Sequence, residues 1–325
     1  MAYKHTDKIE LDSEYQNIET YKRLCESQEK EKILTMKVVG CLPNKEGTKA
    51  SQKYFAIGYY DGYQILIPGT LLGLGIEGAK DKAGNPVTES QKTNMYKAYI
   101  KAMIGAEIDF VVYKDPGAIN TVTQMAIGDR SRAMEKKRES NFFKQDKDGK
   151  SKVERAFEAN EALLARVVSI AQSVVFVEIY GFVTAVIARE VSWRYTEDLR
   201  DVVHIGEQIH VKFKNLEIDR ENKTINGTVS IKDAQPNVMR ENMKKYRPES
   251  VLLGKISGAR DGAYFVQIGD HRTGIDVYCK KVNCIDTPHV GDTVSVKLFI
   301  FDDENARVFG SIENIIERKY QNFAA

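Results

Sequence analysis

The side chains in this sequence that could do chemistry are aromatic and basic residues on strand-like segments. In the segment VFVEI, apolar residues alternate around Phe176, so its ring points away from the face that the valines and isoleucine bury. An outward ring can stack on a base, which contributes about 1–3 kcal/mol. A later segment, IGEQIHVKFKN, turns Lys212 and Lys214 outward, where they can neutralise phosphates and make binding depend on salt. Packing of Phe176 beneath a loop or a neighbouring unit stays open as the alternative.

The string around this phenylalanine occurs three times, as YFAIG, VFVEI and YFVQI. Alignment of the strings puts Phe55 and Phe265 at the position of Phe176, so each repeat is predicted to carry one outward phenylalanine. Further aromatic candidates on or beside the next apolar run are Tyr63, Trp193 and Tyr278, for which base stacking and packing are both open.

Two other spacings match ligand motifs but lack the context that those motifs need. Residues 73–78 read GLGIEG, the spacing of dinucleotide sites, yet Gly84 and Pro86 break the helix that should follow. We predict no cofactor and no metal, and, with no Walker loop, nucleophile elbow or HExxH sequence, no enzyme. The spacing that resembles a metal site, isolated and without close pairs, is that of His271, Cys279, Cys284 and His289.

The composition is that of an ordinary soluble globular protein. The 325 residues are 42% apolar and 29% charged, which excludes a collagen-like or wholly disordered chain. No apolar run approaches the roughly 20 residues of a membrane-spanning helix. The first residues lack a secretory signal, so we expect a cytoplasmic protein with no membrane partner. Because the net charge is only +2, nucleic-acid affinity would have to come from local patches.

An internal repeat organises most of the chain. Each phenylalanine string lies between two apolar runs, and farther on a glycine opens an alternating strand, as in IGAEIDFVVYKD, IGEQIHVKFKNLEID and VGDTVSVKLFIFDD. A last strand closes each unit. Five short strands favour a closed barrel, because closure removes the sheet edges that would aggregate. The predicted fold class is all-β, with three tandem five-stranded barrels joined by charged helical linkers. The side chains predicted to face the last two cores are Ile209, Val211 and Phe213, and Val294, Val296 and Leu298.

The repeat and the charge pattern together predict the boundaries of the segments. Charged residues dominate 132–160, which is typical of a solvated face or a flexible tether. The basic residues at its start, which could also touch an RNA backbone, are Arg130, Arg132, Lys136, Lys137 and Arg138. The segments are an N-terminal helical segment (1–31), a first barrel (32–135) with an insertion (73–99), a charged linker (136–160), a second barrel (161–237), a linker helix (238–249), a third barrel (250–317) and a tail (318–325).

The second unit also resembles a known family. Its segments LLARVVSI, VFVEIYGFVTAVIAREVSW and IDRENKTINGTVSIKDAQPN are similar to the S-one (S1) domain, the OB-fold module repeated in the ribosomal small-subunit protein of that name. The first and third units keep the same order of strands and glycines. A chain of three such units resembles the stand-alone versions found in Gram-positive bacteria and their prophages.

The resemblance implies that single-stranded RNA binds on the outer face of the middle strands, through aromatic side chains beside basic and acidic groups. It implies roles for Phe176, for Asp219 in the last turn and for the nearby Lys223. The sequence departs from the family pattern at Ser173, where the first aromatic would stand, and near Ile187, where a histidine is usual.

The leading hypothesis is a non-catalytic protein that binds single-stranded RNA through linked barrels, because linking weak modules raises the overall affinity. The expected partner is RNA or the ribosome, with a link to translation. The alternative is a structural or adaptor protein, in one version phage-associated, whose barrels bind a protein partner. The nearly neutral charge and the missing family aromatics favour this alternative.

Overall fold

Alternating apolar residues form the strands of three successive barrels. The prediction of an all-β fold with three tandem five-stranded barrels is confirmed, although the first barrel adds a two-residue strand. His271, the first five residues and the tail beyond residue 319 lie outside the described part of the chain. A computed structural model describes residues 6–81, 83–171, 173–196, 198–270 and 274–319.

The first barrel closes through its third and last strands. They pair in the order β3-β2-β1-β4-β6-β5, and β3 also pairs with β6. Met36, Ile65 and Phe110 fill the core and are at most 2% exposed. The strands are β1 (Leu34–Pro43), β2 (Tyr54–Tyr60), β3 (Tyr63–Pro68), β4 (Glu107–Val112), β5 (Ile119–Asn120) and β6 (Met125–Asp129).

Tyr63 lies in this core, so its predicted place on a binding surface is wrong. It begins β3 and shares the period-2 register of Ile65 and Ile67, so all three side chains point inward. Only 2% of Tyr63 is exposed, and burial raises the pKa of its hydroxyl.

The second barrel is nearly closed. Its strands pair in the order β11-β10-β7-β8-β9, and the Thr184 hydroxyl of β9 donates to the Gly227 carbonyl of β11 at 3.1 Å. Ile209, Val211 and Phe213 are buried, as their alternation predicts. The strands are β7 (Leu163–Ile170), β8 (Val174–Ile179), β9 (Phe182–Ile187), β10 (Gln208–Asp219) and β11 (Thr224–Ser230).

The third barrel is fully closed, in the order β12-β13-β14-β16-β15. The predicted core residues Val294, Val296 and Leu298 are all 0% exposed. The strands are β12 (Val251–Arg260), β13 (Ala263–Ile268), β14 (Ile275–Val282), β15 (Thr293–Asp302) and β16 (Arg307–Glu317).

Helices connect and flank the barrels. None of those in the described part of the chain is long and apolar enough to span a membrane. Helix α2 begins in the second half of the insertion of the first barrel, and its Ile100 is wholly buried against that barrel. The helices are α1 (Thr6–Lys30), α2 (Glu89–Ala102), α3 (Arg130–Arg138), α4 (Lys152–Glu158), α5 (Ala188–Val191) and α6 (Val238–Met243).

The charged linker between the first two barrels is packed, so its interpretation as a flexible tether is wrong. After α3 the chain makes a π-helical turn whose Phe142 is 0% exposed in the second core. This ring meets Phe182 and Phe213 edge-on, with centroids 5.9 and 6.4 Å away. Val153 and Ala156 of α4 belong to the same core. A few apolar side chains therefore anchor a segment whose composition is mostly charged.

Candidate nucleic-acid interface

Three aromatic rings cross neighbouring strands on the outside of the third barrel. Phe265 on β13 pairs with Tyr278 on β14, and Tyr278 pairs with Phe309 on β16. The centroids of Phe265 and Tyr278 are 5.5 Å apart, and those of Tyr278 and Phe309 are 5.8 Å apart, both in edge-to-face contact. All three residues are half-buried. These residues, called the aromatic row below, form one surface on which successive bases can stack.

One end of the aromatic row is covered by the chain itself. Tyr195, between β9 and β10, lies face to face on Phe265, with 4.1 Å between centroids and 9° between ring planes. Gly258 permits this approach, because a Cβ there would lie 2.2 Å from the Tyr195 ring. Asp276 holds the segment by accepting hydrogen bonds from the Arg194 guanidinium at 2.9 Å and the Tyr195 amide at 2.7 Å. Tyr195 thus occupies a face of Phe265 on which a base would otherwise stack.

Positive charge lies near the other rings of the row. Lys280 follows Tyr278 by two residues on β14, and Arg307 precedes Phe309 by two residues on β16. Both basic side chains are exposed, so they can meet the phosphates of a strand whose bases stack on the row.

Sequence reasoning missed part of this surface. Phe309 had a readable signal, since it alternates with the inward Val308 in the last strand of its unit. Tyr195 had none, because its place on Phe265 depends on a contact between different barrels. Of the predicted aromatic residues, the fold brings together only Phe265 and Tyr278 in one ring contact among the described residues.

The matching face of the second barrel has one aromatic residue where the third barrel has three. Phe176 pairs with Ala185, where the third barrel pairs two rings of the aromatic row. Asn226 takes the place of the third ring, because both are the third residue of the last strand. Val183 and Ile187 of β9 are 40% and 41% exposed. Phe176 itself is half-buried and lines a cleft against the first barrel and α3.

In the first barrel, Phe55 does not stand at the position of Phe176. In the second and third barrels, the residue that follows the bulge of the first strand pairs with the outward phenylalanine. In the first barrel that residue is Gly40, and its partner is Ile57. Phe55 lies two residues earlier on the same face and is half-buried. The predicted equivalence of Phe55, Phe176 and Phe265 is therefore wrong by two residues, because the turn after β2 comes two residues later.

A buried ion-pair network fills the junction of the first two barrels. Glu178 of β8 is 3% exposed and accepts hydrogen bonds from Arg130 at 3.3 Å and Lys137 at 2.6 Å. Lys137 also donates to Asp109 of β4 at 2.6 Å, and Arg166 of β7 donates to the same carboxylate at 3.1 Å. Each buried charge of the network contacts an opposite charge. The network connects α3 to both barrels, because its two carboxylates belong to β4 of the first barrel and β8 of the second.

The network also shifts the pKa values of its members. Burial alone would raise the pKa of Asp109, but the positive charges of Lys137 and Arg166 bring it below its ordinary value. Burial likewise opposes the charge of Lys137, but the carboxylates of Glu178 and Asp109 raise its pKa. Asp109 and Lys137 are therefore both held in their charged forms.

The other basic side chains of α3 also contact the protein. Arg132 lies 3.0 Å from the carboxylate of Glu31, and Lys136 donates to the Glu31 carbonyl at 2.7 Å. Arg138 donates to the Gly181 carbonyl at 3.0 Å. The interpretation of α3 as a solvated face is wrong for Arg130, which is 2% exposed, whereas Arg132 and Lys136 keep 45% and 38% of their side chains exposed while contacting the protein.

The predicted lysines of the second barrel are engaged to different degrees. Lys214 donates to Glu190 at 3.1 Å, and Lys223 donates to Glu139 at 3.3 Å. Lys212 is half-buried on β10. A phosphate would have to compete with a carboxylate for Lys214 and for Lys223.

Asp219 and Trp193 have structural partners. Asp219 accepts hydrogen bonds from the amide and the side chain of Asn222 at 3.0 and 2.7 Å, which shapes the last turn of the second barrel. These bonds lower the pKa of Asp219. The Trp193 indole donates to the Lys232 carbonyl at 2.9 Å and packs against the core of the third barrel, with the Lys232 ammonium 4.8 Å from the ring centroid.

The two ligand-like spacings of the sequence lie in unremarkable surroundings. Gly73 and Gly75 adopt positive φ angles of 68° and 65° in a loop, and α2 begins only at Glu89. Cys279 is wholly buried in the third core, which raises the pKa of its thiol to about 12. Cys284 donates to a backbone carbonyl at 3.2 Å. Within the described residues, no group of three or more His, Cys, Asp or Glu side chains is arranged to hold a metal ion.

Comparison with known proteins gives a family for one of the barrels. Residues 156–229 match the family model described as the S1 RNA binding domain. The second barrel is similar to an S1 domain. This confirms the resemblance of its sequence to an S1-type OB fold.

Relatives of the chain include ribosomal proteins. The small ribosomal subunit protein bS1 of Staphylococcus haemolyticus is 27% identical over 167 residues, covering 50% of this chain and 41% of that protein. The bS1 homolog of Bacillus subtilis is 30% identical over 148 residues, covering 44% and 37% of the two chains. A 4-hydroxy-3-methylbut-2-enyl diphosphate reductase of Clostridium acetobutylicum is 29% identical over 147 residues, covering 44% of this chain and 22% of the enzyme. The chain thus matches less than half the length of each relative.

Proposed function

We propose that this protein binds single-stranded RNA without catalysing a reaction, and that the aromatic row is its principal binding surface. The observation that carries the proposal is the row itself: three half-open rings on three adjacent strands of the third barrel. The similarity of the second barrel to an S1 domain and the relatives named as small ribosomal subunit proteins support RNA as the ligand class.

The physical chemistry of the row favours a single strand over a duplex. Bases in a duplex already stack on one another, whereas unpaired bases can stack on protein rings at about 1–3 kcal/mol each. Lys280 and Arg307 supply positive charge for the backbone of the strand. The second barrel contributes less, because Ala185 and Asn226 stand where the third barrel has rings.

Paired substitutions in the aromatic row test the proposal. Tyr278→Leu combined with Phe309→Leu keeps apolar side chains of similar size but removes two stacking surfaces. We expect the variant to bind a labelled, unstructured RNA oligonucleotide at least tenfold more weakly, since each lost stack costs about 1–3 kcal/mol. The matched control is Tyr113→Leu, which removes a 39% exposed tyrosine from the first barrel.

Fluorescence anisotropy at low and moderate salt measures these affinities, and circular dichroism verifies the fold of each variant. Absence of RNA binding by the parent protein at low salt would reject the proposed function. Equal affinity of the folded double variant and the parent would instead reject the aromatic row as the binding surface.

Association with the ribosome is the finer part of the proposal. It is supported by the relatives named as small ribosomal subunit proteins. We expect the parent protein to cosediment with small ribosomal subunits and the double variant to do so less. Sedimentation of both proteins to the same extent would assign ribosome association to another surface.

A protein-binding role is the second candidate, and exposed apolar side chains of the third barrel favour it. Val251 and Leu253 of β12 are 57% and 60% exposed, and Ile300 and Ile316 are 62% and 56% exposed. Exposed apolar residues of this size are typical of interaction surfaces when they form a patch. Leu253→Lys should weaken capture of a protein partner from native cells while leaving RNA affinity unchanged, whereas the aromatic-row variant should do the opposite.

A further inference from the structure

The second barrel reaches the third barrel through three consecutive residues between β9 and β10. The Trp193 indole packs against the core of the third barrel. Arg194 donates to the Asp276 carboxylate of β14 from Nε at 3.1 Å and from Nη2 at 2.9 Å. Tyr195 stacks on Phe265. Trp193, Arg194 and Tyr195, called the latch below, thus join the second barrel to the third.

The polar contacts of the latch are largely shielded from water. The side chains of Arg194 and Asp276 are only 12% and 11% exposed. Arg194 also donates from Nη1 to the Asp270 carbonyl at 3.0 Å, and the other carboxylate oxygen of Asp276 accepts from the Tyr195 amide at 2.7 Å. Breaking a buried ion pair is strongly unfavourable, because each charge is left without its partner. The latch is therefore firmly held against the third barrel.

A base that stacks on the covered face of Phe265 needs the space that Tyr195 fills. The centroids of the two rings are 4.1 Å apart and their planes are within 9° of parallel, an arrangement that a stacked base would also adopt. Gly258 pairs with Phe265 on the neighbouring strand, and a Cβ there would lie 2.2 Å from the Tyr195 ring. The Tyr195 ring thus covers both strands at this point, so a base and Tyr195 exclude one another.

The junction of the second and third barrels has less apolar packing than the junction of the first two. Val168 of β7 belongs to the core of the first barrel, and Ile205 packs against the cores of both the first and the second barrel. Among the described residues of the second barrel, Trp193 is the one that packs against the third core. Release of the latch would remove this apolar contact and leave the third barrel free to turn relative to the second.

We propose that RNA competes with the latch for Phe265, so that a strand bound along the whole aromatic row displaces Tyr195 and releases the third barrel from the second. The inference rests on the proposed function, because it describes the regulation of the same surface. A ligand that binds only the open form has its apparent affinity lowered by the fraction of molecules that are open. The closed latch therefore weakens RNA binding, and bound RNA in turn shifts the protein toward the open form.

Trp193 is the single tryptophan of the chain, so its fluorescence reports the position of the latch. We expect a saturating, unstructured RNA oligonucleotide to shift the emission of the parent protein to longer wavelength and to increase its quenching by acrylamide. Both changes follow because water and the quencher reach an indole that has left the third core. The double variant with Tyr278→Leu and Phe309→Leu should show smaller changes at the same RNA concentration, since it binds RNA less tightly.

Arg194→Gln removes the positive charge that holds the latch to Asp276. It should raise the affinity for RNA about three- to tenfold, because a larger fraction of the molecules is open before RNA binds. It should also increase the acrylamide quenching of the free protein. Arg194→Lys keeps the charge and should change both quantities less. The matched control Arg189→Gln removes an 80% exposed arginine of the same barrel and should change neither. Circular dichroism verifies the fold of each variant.

Saturation of the parent with RNA without a change in Trp193 emission or quenching would overturn the latch and leave the proposed function intact. Equal or weaker RNA affinity of the folded Arg194→Gln variant would also overturn it, since the latch would then not compete with RNA. Absence of RNA binding by the parent would instead reject the proposed function, and this inference with it.

Discussion

The second and third barrels carry the same strand order and the same last turn, but their matching outer faces have different surroundings. Asp302 and Asn305 repeat the turn contacts of Asp219 and Asn222 almost atom for atom, with distances of 2.7 to 3.0 Å in both. On the third barrel the outer face carries the aromatic row, covered at one end by Tyr195. On the second barrel the same face joins the first barrel through a buried ion-pair network.

The difference shows that one fold can leave its outer face largely open or use it for a neighbouring domain. Two residues after the outward phenylalanine, the second barrel has Glu178 and the third has Gln267. The carboxylate pairs with two cations and is 3% exposed, whereas Gln267 is half-buried. A charge that is matched by a neighbour commits the face to that neighbour, since separating the pair would leave buried charges alone.

The largest expected effect is the loss of stability when Glu178 is replaced. Glu178→Ala leaves Arg130 and Lys137 without a shared acceptor, so we expect the free energy of unfolding to fall by about 3–5 kcal/mol. Gln267→Ala, the matched change in the third barrel, should cost less than about 1 kcal/mol. Urea denaturation measures both values. Equal losses would mean that the network does not distinguish the two faces.

The next effect concerns the pH dependence of stability. The pKa of Asp109 is lower in the folded protein than in the unfolded chain, so its contribution is present above about pH 4 and is lost as the pH falls through the lowered value. The parent should lose more stability than Asp109→Asn between pH 5 and pH 2.5, because only the parent has a carboxylate that takes up a proton there. Urea midpoints over this range test the expectation, and parallel curves for the two proteins would contradict it.

A smaller effect is expected where Tyr195 covers Phe265. Tyr195→Ala should raise the affinity for RNA about three- to tenfold, because an aromatic pair contributes about 0.5–1.5 kcal/mol that a base must otherwise displace. Gly258→Ala should act in the same direction, since its Cβ excludes the Tyr195 ring. Tyr59→Ala, at a 56% exposed tyrosine of the first barrel, is the control. Weaker binding by both variants would make Tyr195 part of the binding surface.

The smallest effect is on salt dependence. Lys280→Gln and Arg307→Gln should each reduce the slope of log affinity against log salt by about 0.7, the value for one phosphate contact on a single strand. Lys214→Gln should change the slope little, because Glu190 already engages Lys214 at 3.1 Å. Anisotropy titrations at several salt concentrations compare the three variants. A larger change for Lys214 would place the RNA backbone on the second barrel.

The sequence by itself predicted the barrels and most of their cores. Ile209, Val211 and Phe213 face inward as their spacing requires, because a strand alternates its side chains whatever surrounds it. The same rule would have placed Phe309 outside, had it been applied to the last strand. The rule also holds for Phe55, which points outward; only the alignment of the repeats was wrong there, because the turn after β2 comes two residues later.

Only the tertiary structure decided which outer faces stay open. Arg130 meets Glu178 across 48 residues, and Tyr195 meets Asp276 across 81. Local patterns reveal whether a side chain points out of its own barrel, but they cannot reveal what another barrel places against it. Arg130 and Lys137 of α3 therefore resembled part of a solvated face in the sequence but join a buried network in the fold, because their partners Glu178 and Asp109 come from strands of two barrels.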